Sequence, residues 1–143
     1  MLKKTLLNLA LGSALVTTLY ASGGEIKGLN VMLTASDTQT QMMAMVLSTK
    51  TLEQKKDVRI VLCSEAGDLA LKESKSEPQK PLNKSPKDLL QGAIKNGASV
   101  KVCPLYLPNK GLDKSALIEG VEVASPDEVA RSLLDGEYKN LSY

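Results

Sequence analysis

Val58-Arg59-Ile60-Val61-Leu62-Cys63 and Ser99-Val100-Lys101-Val102-Cys103 are the two stretches whose reading decides the fold. Each is short, apolar, rich in β-branched residues and bounded by turn or cap residues, the pattern of a buried strand in an α/β sheet. Each ends in one of the chain's two cysteines. Open α/β sheets place ligands and chemistry at the carboxyl ends of their strands. The chain has no histidine, which removes Ser–His–Asp and Cys–His mechanisms. Sulfur is therefore the first place to look for chemistry.

Working outward, Leu29 to Ala35 reads as the strand before the first run. Ser36-Asp37-Thr38-Gln39 then reads as a capping box, in which a Ser hydroxyl and a Gln three residues later satisfy free amide groups. The helix it opens extends to about Glu53. After Cys63, Ser64 is expected to cap a short helix holding Leu69, Ala70 and Leu71. Lys72 to Lys84, with two prolines and four lysines, reads as a mobile surface loop. Ser85-Pro86-Lys87-Asp88 is a clear helix start, and Asn96-Gly97 a clear stop. Beyond Cys103, Pro104 to Gly111 reads as a loop and Leu112 to Ile118 as a short helix. Val121-Glu122-Val123 reads as a strand, and Ser125-Pro126 opens a last helix that Gly136 stops. Tyr138 to Tyr143 reads as a final strand. Strands alternating with helices predict a single three-layer α/β domain, with a mostly parallel sheet of about five strands and helices on both faces.

The start of the chain reads as a targeting signal. Lys3 and Lys4 precede an apolar stretch from Leu6 to Tyr20 that is shorter than a membrane span needs. A signal peptide over residues 1–21, cut after Ala21 or Gly23, would send the domain of residues 22–143 to the periplasm or otherwise out of the cell. About 120 residues then suit one core. Without Lys3 and Lys4 the 18 basic residues fall to 16, equal to the 16 acidic ones. A neutral domain lacking Trp and Phe offers nucleic acid neither a basic footprint nor stacking platforms. No later segment is apolar enough to span a membrane, so no membrane contact is expected after signal cleavage.

Cys103 is the stronger nucleophile candidate. Lys101 lies two residues upstream on the same strand face, and Lys110 seven residues downstream. A nearby ammonium favours the thiolate, which is both the nucleophile and the sulfur acceptor. Cys63 is followed by Glu65 and Asp68, which oppose a thiolate, so a structural role or a disulfide fits it better than a binding role. Whether the two cysteines can pair depends on strand order. They lie too far apart in sequence for a Cys-x-x-Cys redox motif or zinc-ligand spacing. Met32, Met42, Met43 and Met45 raise the question of Cu(I), but core packing accounts for the helix pattern without metal. Asp127-Glu128 and the Glu119/Glu122 pair read as cap and turn chemistry. No glycine-rich nucleotide loop is present.

Several segments recur in one order. They are Asp37-Thr38-Gln39 after the first strand, Asp68-Leu69-Ala70-Leu71-Lys72, and Pro81 to Leu90. Val100-Lys101-Val102-Cys103-Pro104, Lys110-Gly111-Leu112 and Ile118 to Pro126 follow. Together they resemble the DsrE/DsrF-like family of small sulfur-relay proteins. The resemblance implies an α/β domain that forms oligomers and carries sulfane sulfur as a persulfide, with Cys103 in the carrier position. The expected function is an exported sulfur carrier or sulfurtransferase without cofactor or metal. Its expected partners are a protein sulfur donor and acceptor, or polysulfide, and further copies of itself. The alternative is a non-enzymatic module for Cu(I) or a small anion, with structural cysteines.

Overall fold

A computed structural model describes residues 24–143; the expected signal peptide lies outside the described residues. Strands β1 (Gly28–Leu33), β2 (Asp57–Leu62), β3 (Ser99–Val102), β4 (Val121–Val123) and β5 (Tyr138–Ser142) form one sheet in the order β4-β3-β2-β1-β5. Every pairing is parallel, so all carboxyl ends emerge at one edge. The α/β layering expected from the sequence is found.

The register explains which face is buried. Val31, Ile60, Val100 and Val121 align across four strands, and Leu33, Leu62, Val102 and Val123 align two residues further on. Alternate residues of a strand share a face, so these rows make one apolar surface. Helices α1 (Thr38–Glu53) and α2 (Pro86–Lys95) pack over it, burying Leu33, Met45, Leu62, Leu90 and Val102 completely. Each such side chain contributes about 1.5–3 kcal/mol on leaving water.

The opposite face alternates to Asn30, Arg59, Val61 and Lys101, and helix α4 (Pro126–Leu133) lies against it. Polar groups dock this helix. Asn30 Nδ2 donates to the Ser132 carbonyl at 2.5 Å and to Asn140 Oδ1 at 2.9 Å, and Arg59 pairs with Asp135 at 3.1 Å. The Arg59 guanidinium also stands 3.5 Å from the centroid of the Tyr138 ring.

Caps set the helix starts. Ser85 and Asp88 form a reciprocal capping box at α2, and Ser125 accepts from the Glu128 amide at α4. At α1 the cap is Asp37, not Ser36: the Thr40 amide donates to Asp37 Oδ1 at 2.8 Å. A carboxylate at a helix N-terminus gains from the dipole as well as from the hydrogen bond.

Three connections differ from expectation. The turn after β2 is a 3-10 helix over Ser64–Ala70 in which Ser64 is not the cap; it takes a left-handed backbone, φ 52°. The loop expected over Pro104 to Gly111 contains a helix, α3 (Tyr106–Lys110), closed by Gly111 at φ 66°. Pro108 falls in its first turn, where no amide donor is needed. The helix expected after Leu112 shrinks to a 3-10 turn, Lys114–Ala116, begun by Asp113. In the long Lys72–Lys84 connection, the Lys87 ammonium gathers the carbonyls of Leu71, Lys72 and Ser74 at 2.5, 3.1 and 2.8 Å. One cation thus ties the beginning of that segment to α2.

Gly67 permits the closest approach in this region. A Cβ there would meet the Tyr106 ring at 2.4–2.6 Å, and Tyr106 is buried. Gly67→Ala is expected to lower stability by about 1–3 kcal/mol through overpacking, whereas Gly92→Ala, with open space around it, is expected to be neutral or stabilising. Paired denaturant titrations measure the difference.

Candidate functional site

Sheet order places the two cysteines together. Leu62 pairs with Val102, and one step further the Cys103 amide donates to the Leu62 carbonyl at 2.8 Å. The Cys63 amide donates to the Leu33 carbonyl at 2.9 Å. Cys63 and Cys103 therefore stand side by side where β2 and β3 end, and both are free thiols.

Their surroundings differ. The Cys63 S–H donates to Met32 Sδ at 3.7 Å. Burial, with the Cys103 thiol beside it as the next cause, pushes the Cys63 pKa up to about 12. Cys103 instead lines an open cavity of about 350 Å³ together with Ser64, Glu65, Leu105, Tyr106, Asn109 and Lys110, and Cys63 is not part of that lining. Both thiols are half-buried, but only Cys103 borders this cavity.

The cavity wall is organised by Asp68. Its carboxylate accepts from the Tyr106 hydroxyl and pairs with the Lys110 ammonium at 2.9 Å. Burial opposes charge on Asp68, but these two partners prevail and hold its carboxyl below the usual carboxylate range. Burial and the Asp68 contact push the Tyr106 phenol up, so it remains a donor at neutral pH. The Lys110 ammonium also lies 5.7 Å from the centroid of the Tyr106 ring. Asp68 comes from the 3-10 helix after β2, whereas Tyr106 and Lys110 come from α3 after β3. The carboxylate thus ties together the two connections that leave the cysteines.

Lys101 and Lys110, paired in the sequence reading, are separated by the structure. Lys110 shares the cavity with Cys103. The Lys101 ammonium stands 2.5 Å from Glu128 and 3.1 Å from Glu122, in the groove beneath α4. Those contacts, the Glu128 hydrogen bond first, hold its pKa above the ordinary lysine value. Glu122 and Glu128 are more than cap and turn residues: they neutralise this cation.

Met42 and Met45 are buried in the core, whereas Met43 is 53% exposed, so the α1 methionines do not converge. Among the described residues no three Cys, Asp or Glu side chains gather into a metal-holding group, and no helix is long and apolar enough to cross a membrane. The sequence reading missed Asp68 and Tyr106 as site residues. The available signal was the Tyr106/Lys110 spacing of four, which puts both on one face if the segment is helical.

The profile of the DsrE/DsrF-like family matches residues 28–142, nearly the whole described chain. None of the curated proteins compared with the chain matches it. Among solved structures, the ychN protein from E. coli is similar with a TM-score of 0.66 at 21% identity, covering 81% of this chain and 99% of its own. A protein of unknown function from Methanobacterium thermoautotrophicum, MTH1491, is similar with a TM-score of 0.63 at 15% identity, covering 81% and 98%. At these identities the two structures support the fold, and the profile match over the strands and both cysteines supplies the family: the chain belongs to the DsrE/DsrF-like family.

Proposed function

We propose that this protein is a sulfur carrier that holds sulfane sulfur as a persulfide on Cys103 and passes it to a partner thiol. The observation that carries this reading is the cavity onto which Cys103, and not Cys63, opens. Membership in a family generally related to sulfur relay supports it. So does Lys110, a cation in the cavity wall that favours anionic persulfide or polysulfide sulfur over neutral ligands.

The chemistry needs no cofactor. The Cys103 thiolate attacks the outer sulfur of a donor persulfide, R–S–SH. A new S–S bond forms to Cys103 Sγ, the donor S–S bond breaks, and the donor leaves as R–S⁻, which takes up a proton. The same exchange in the opposite direction loads an acceptor thiol. No net oxidation occurs, and the protein needs only access and a thiolate.

Asp68 and Tyr106 act as positioning residues. The carboxylate holds Lys110 at the cavity rather than letting it swing into solvent, and the Tyr106 hydroxyl fixes the carboxylate. Residues 1–21 as a cleaved export signal, and self-association into an oligomer, belong to the same proposal. Amino-terminal sequencing of protein taken from its own compartment is expected to begin at Ser22 or Gly24, and an intact Met1 would refute cleavage.

Reduced, folded Cys63→Ser protein, in which no second thiol can discharge the adduct, is expected to gain sulfur at Cys103 on incubation with glutathione persulfide, located by peptide mass spectrometry. Labelling at neither cysteine in the wild type or in Cys63→Ser would reject the carrier role. The two thiols should also differ in their response to pH. A thiol with its pKa near 12 gains about ten-fold in thiolate per unit of pH throughout the neutral and mildly alkaline range. Alkylation of Cys63 in native protein is therefore expected to be slow at neutral pH and to climb steadily as the solution is made alkaline. Cys103 should react faster at every point, and a faster Cys63 would reverse the assignment.

A further inference from the structure

We propose that Cys63 is a resolving thiol, which attacks the persulfide held on Cys103, closes a Cys63–Cys103 disulfide and releases the sulfane sulfur as sulfide. This activity rests on the carrier reading of Cys103 and goes beyond it, because the protein would reduce its cargo as well as carry it. Two geometric facts bear the inference: the adjacency of the two thiols, and the side from which each faces the cavity.

Adjacency comes from the ladder. Neighbouring strands run about 4.8 Å apart, and a disulfide tolerates Cα separations of about 4.4–6.8 Å. Cys63 and Cys103 follow directly on the paired residues Leu62 and Val102, and the Cys103 amide bonds to the Leu62 carbonyl at 2.8 Å, a placement compatible with that window. The Cys103 thiol stands near enough to Cys63 to act on its ionisation.

Direction decides which sulfur is attacked. Cys103 lines the cavity and Cys63 does not, so an outer sulfur carried into that cavity points away from Cys63. Cys63 is then placed to reach Cys103 Sγ rather than the outer sulfur. Attack there forms the Cys63 Sγ–Cys103 Sγ bond and breaks the bond from Cys103 Sγ to the outer sulfur. That sulfur leaves as the hydrosulfide anion and takes the proton lost by Cys63, giving hydrogen sulfide. The two cysteine sulfurs are together oxidised by two electrons, and the sulfane sulfur is reduced by two. The balanced step is Cys103–S–SH plus Cys63–SH giving the disulfide plus one hydrogen sulfide. Return to the dithiol takes two electrons and two protons from an external dithiol, such as a reducing partner protein.

Cys63 is a poor nucleophile in free collision, since little of it is ionised at neutral pH. Magnitudes favour the internal step all the same. Burial keeps most of it protonated at neutral pH. Well-oriented intramolecular reactions gain effective molarities of about 10⁵–10⁸ M, which favours attack on the sulfur beside it over attack on an external reagent. Attack is thus slow toward external reagents and competent only toward the sulfur beside it. Sulfide is also a better leaving group than an ordinary alkyl thiolate.

The test uses glutathione persulfide and the reduced, folded chain, with Cys63→Ser and Cys103→Ser in parallel. Wild type is expected to release sulfide, lose both free thiols and end lighter by two hydrogens, with a peptide linking Cys63 to Cys103. Cys63→Ser is expected to stay heavier by one sulfur at Cys103 and to hold it at least about ten-fold longer than wild type. Cys103→Ser should do neither. Wild type that keeps its persulfide as long as Cys63→Ser, with Cys63 still alkylatable, would overturn the resolving role while leaving the carrier intact. A mixed disulfide with glutathione on Cys63→Ser would overturn the proposed route, because sulfide would then be lost before any persulfide formed. No adduct on any protein would mean that the carrier reading itself had failed.

Discussion

The hydrogen bond from the Cys103 amide to the Leu62 carbonyl, 2.8 Å long, is the constraint on which the site depends. It is the last rung of the β2–β3 ladder and fixes the level at which each chain leaves the sheet. A slip of one residue would turn one cysteine to the opposite face. The apolar rows Ile60–Val100 and Leu62–Val102 prevent that slip, because shifting them would expose fully buried side chains. Core packing on one side of the sheet thus sets the pairing of two thiols at its end.

From that fixed point the two connections diverge and are joined again. Ser64 turns the chain at φ 52° immediately after Cys63, a left-handed conformation that costs a non-glycine residue about 1 kcal/mol or more. The turn lets the 3-10 helix carry Asp68 to Tyr106 and Lys110, the residues that α3 brings from the other side. Gly67 makes room for the aromatic ring within the same turn. Local strain at Ser64 is offset by a buried ring and a charge-assisted contact, and the result is a shaped wall beside only one of the cysteines.

Much of this was legible in the sequence, and the parts that were not share a cause. The strand runs ending in Cys63 and Cys103, the α1 and α2 spans and the Ser-Pro helix starts follow from short-range rules of burial and capping. The place of Cys103 at the carboxyl end of a core strand was equally readable, since it required only a strand and its end. The partnership of Cys63 with Cys103 was not, because it depends on β2 and β3 being neighbours, a tertiary fact. The same holds for Asp68 with Lys110, distant in sequence and joined only when two connections fold over one edge. Lys101 shows the converse. Its strand parity put it on the face of Cys103, but parity does not say that α4 would bring Glu128 within 2.5 Å of it. Tyr106 was hidden by Pro104 and Pro108, which read as loop punctuation although a proline in the first turn is compatible with a helix.

The contrast between the two lysines bears on how the domain divides its work. Lys101 meets two carboxylates on the polar face of the sheet, and beneath α4 its charge serves cohesion between helix and strand. Lys110 pairs directly with one carboxylate, itself shared with Tyr106, and feels a second, Glu65, at the rim of an open cavity. A cation with one direct ion pair at a solvent-facing rim stays reachable by an incoming anion, whereas one clamped by two carboxylates beneath a helix does not. The fold thereby confines its structural electrostatics to the face covered by α4. At the carboxyl edge it leaves Cys103 on an open cavity, Cys63 beside it outside the lining, and the Lys110 ammonium in the cavity wall.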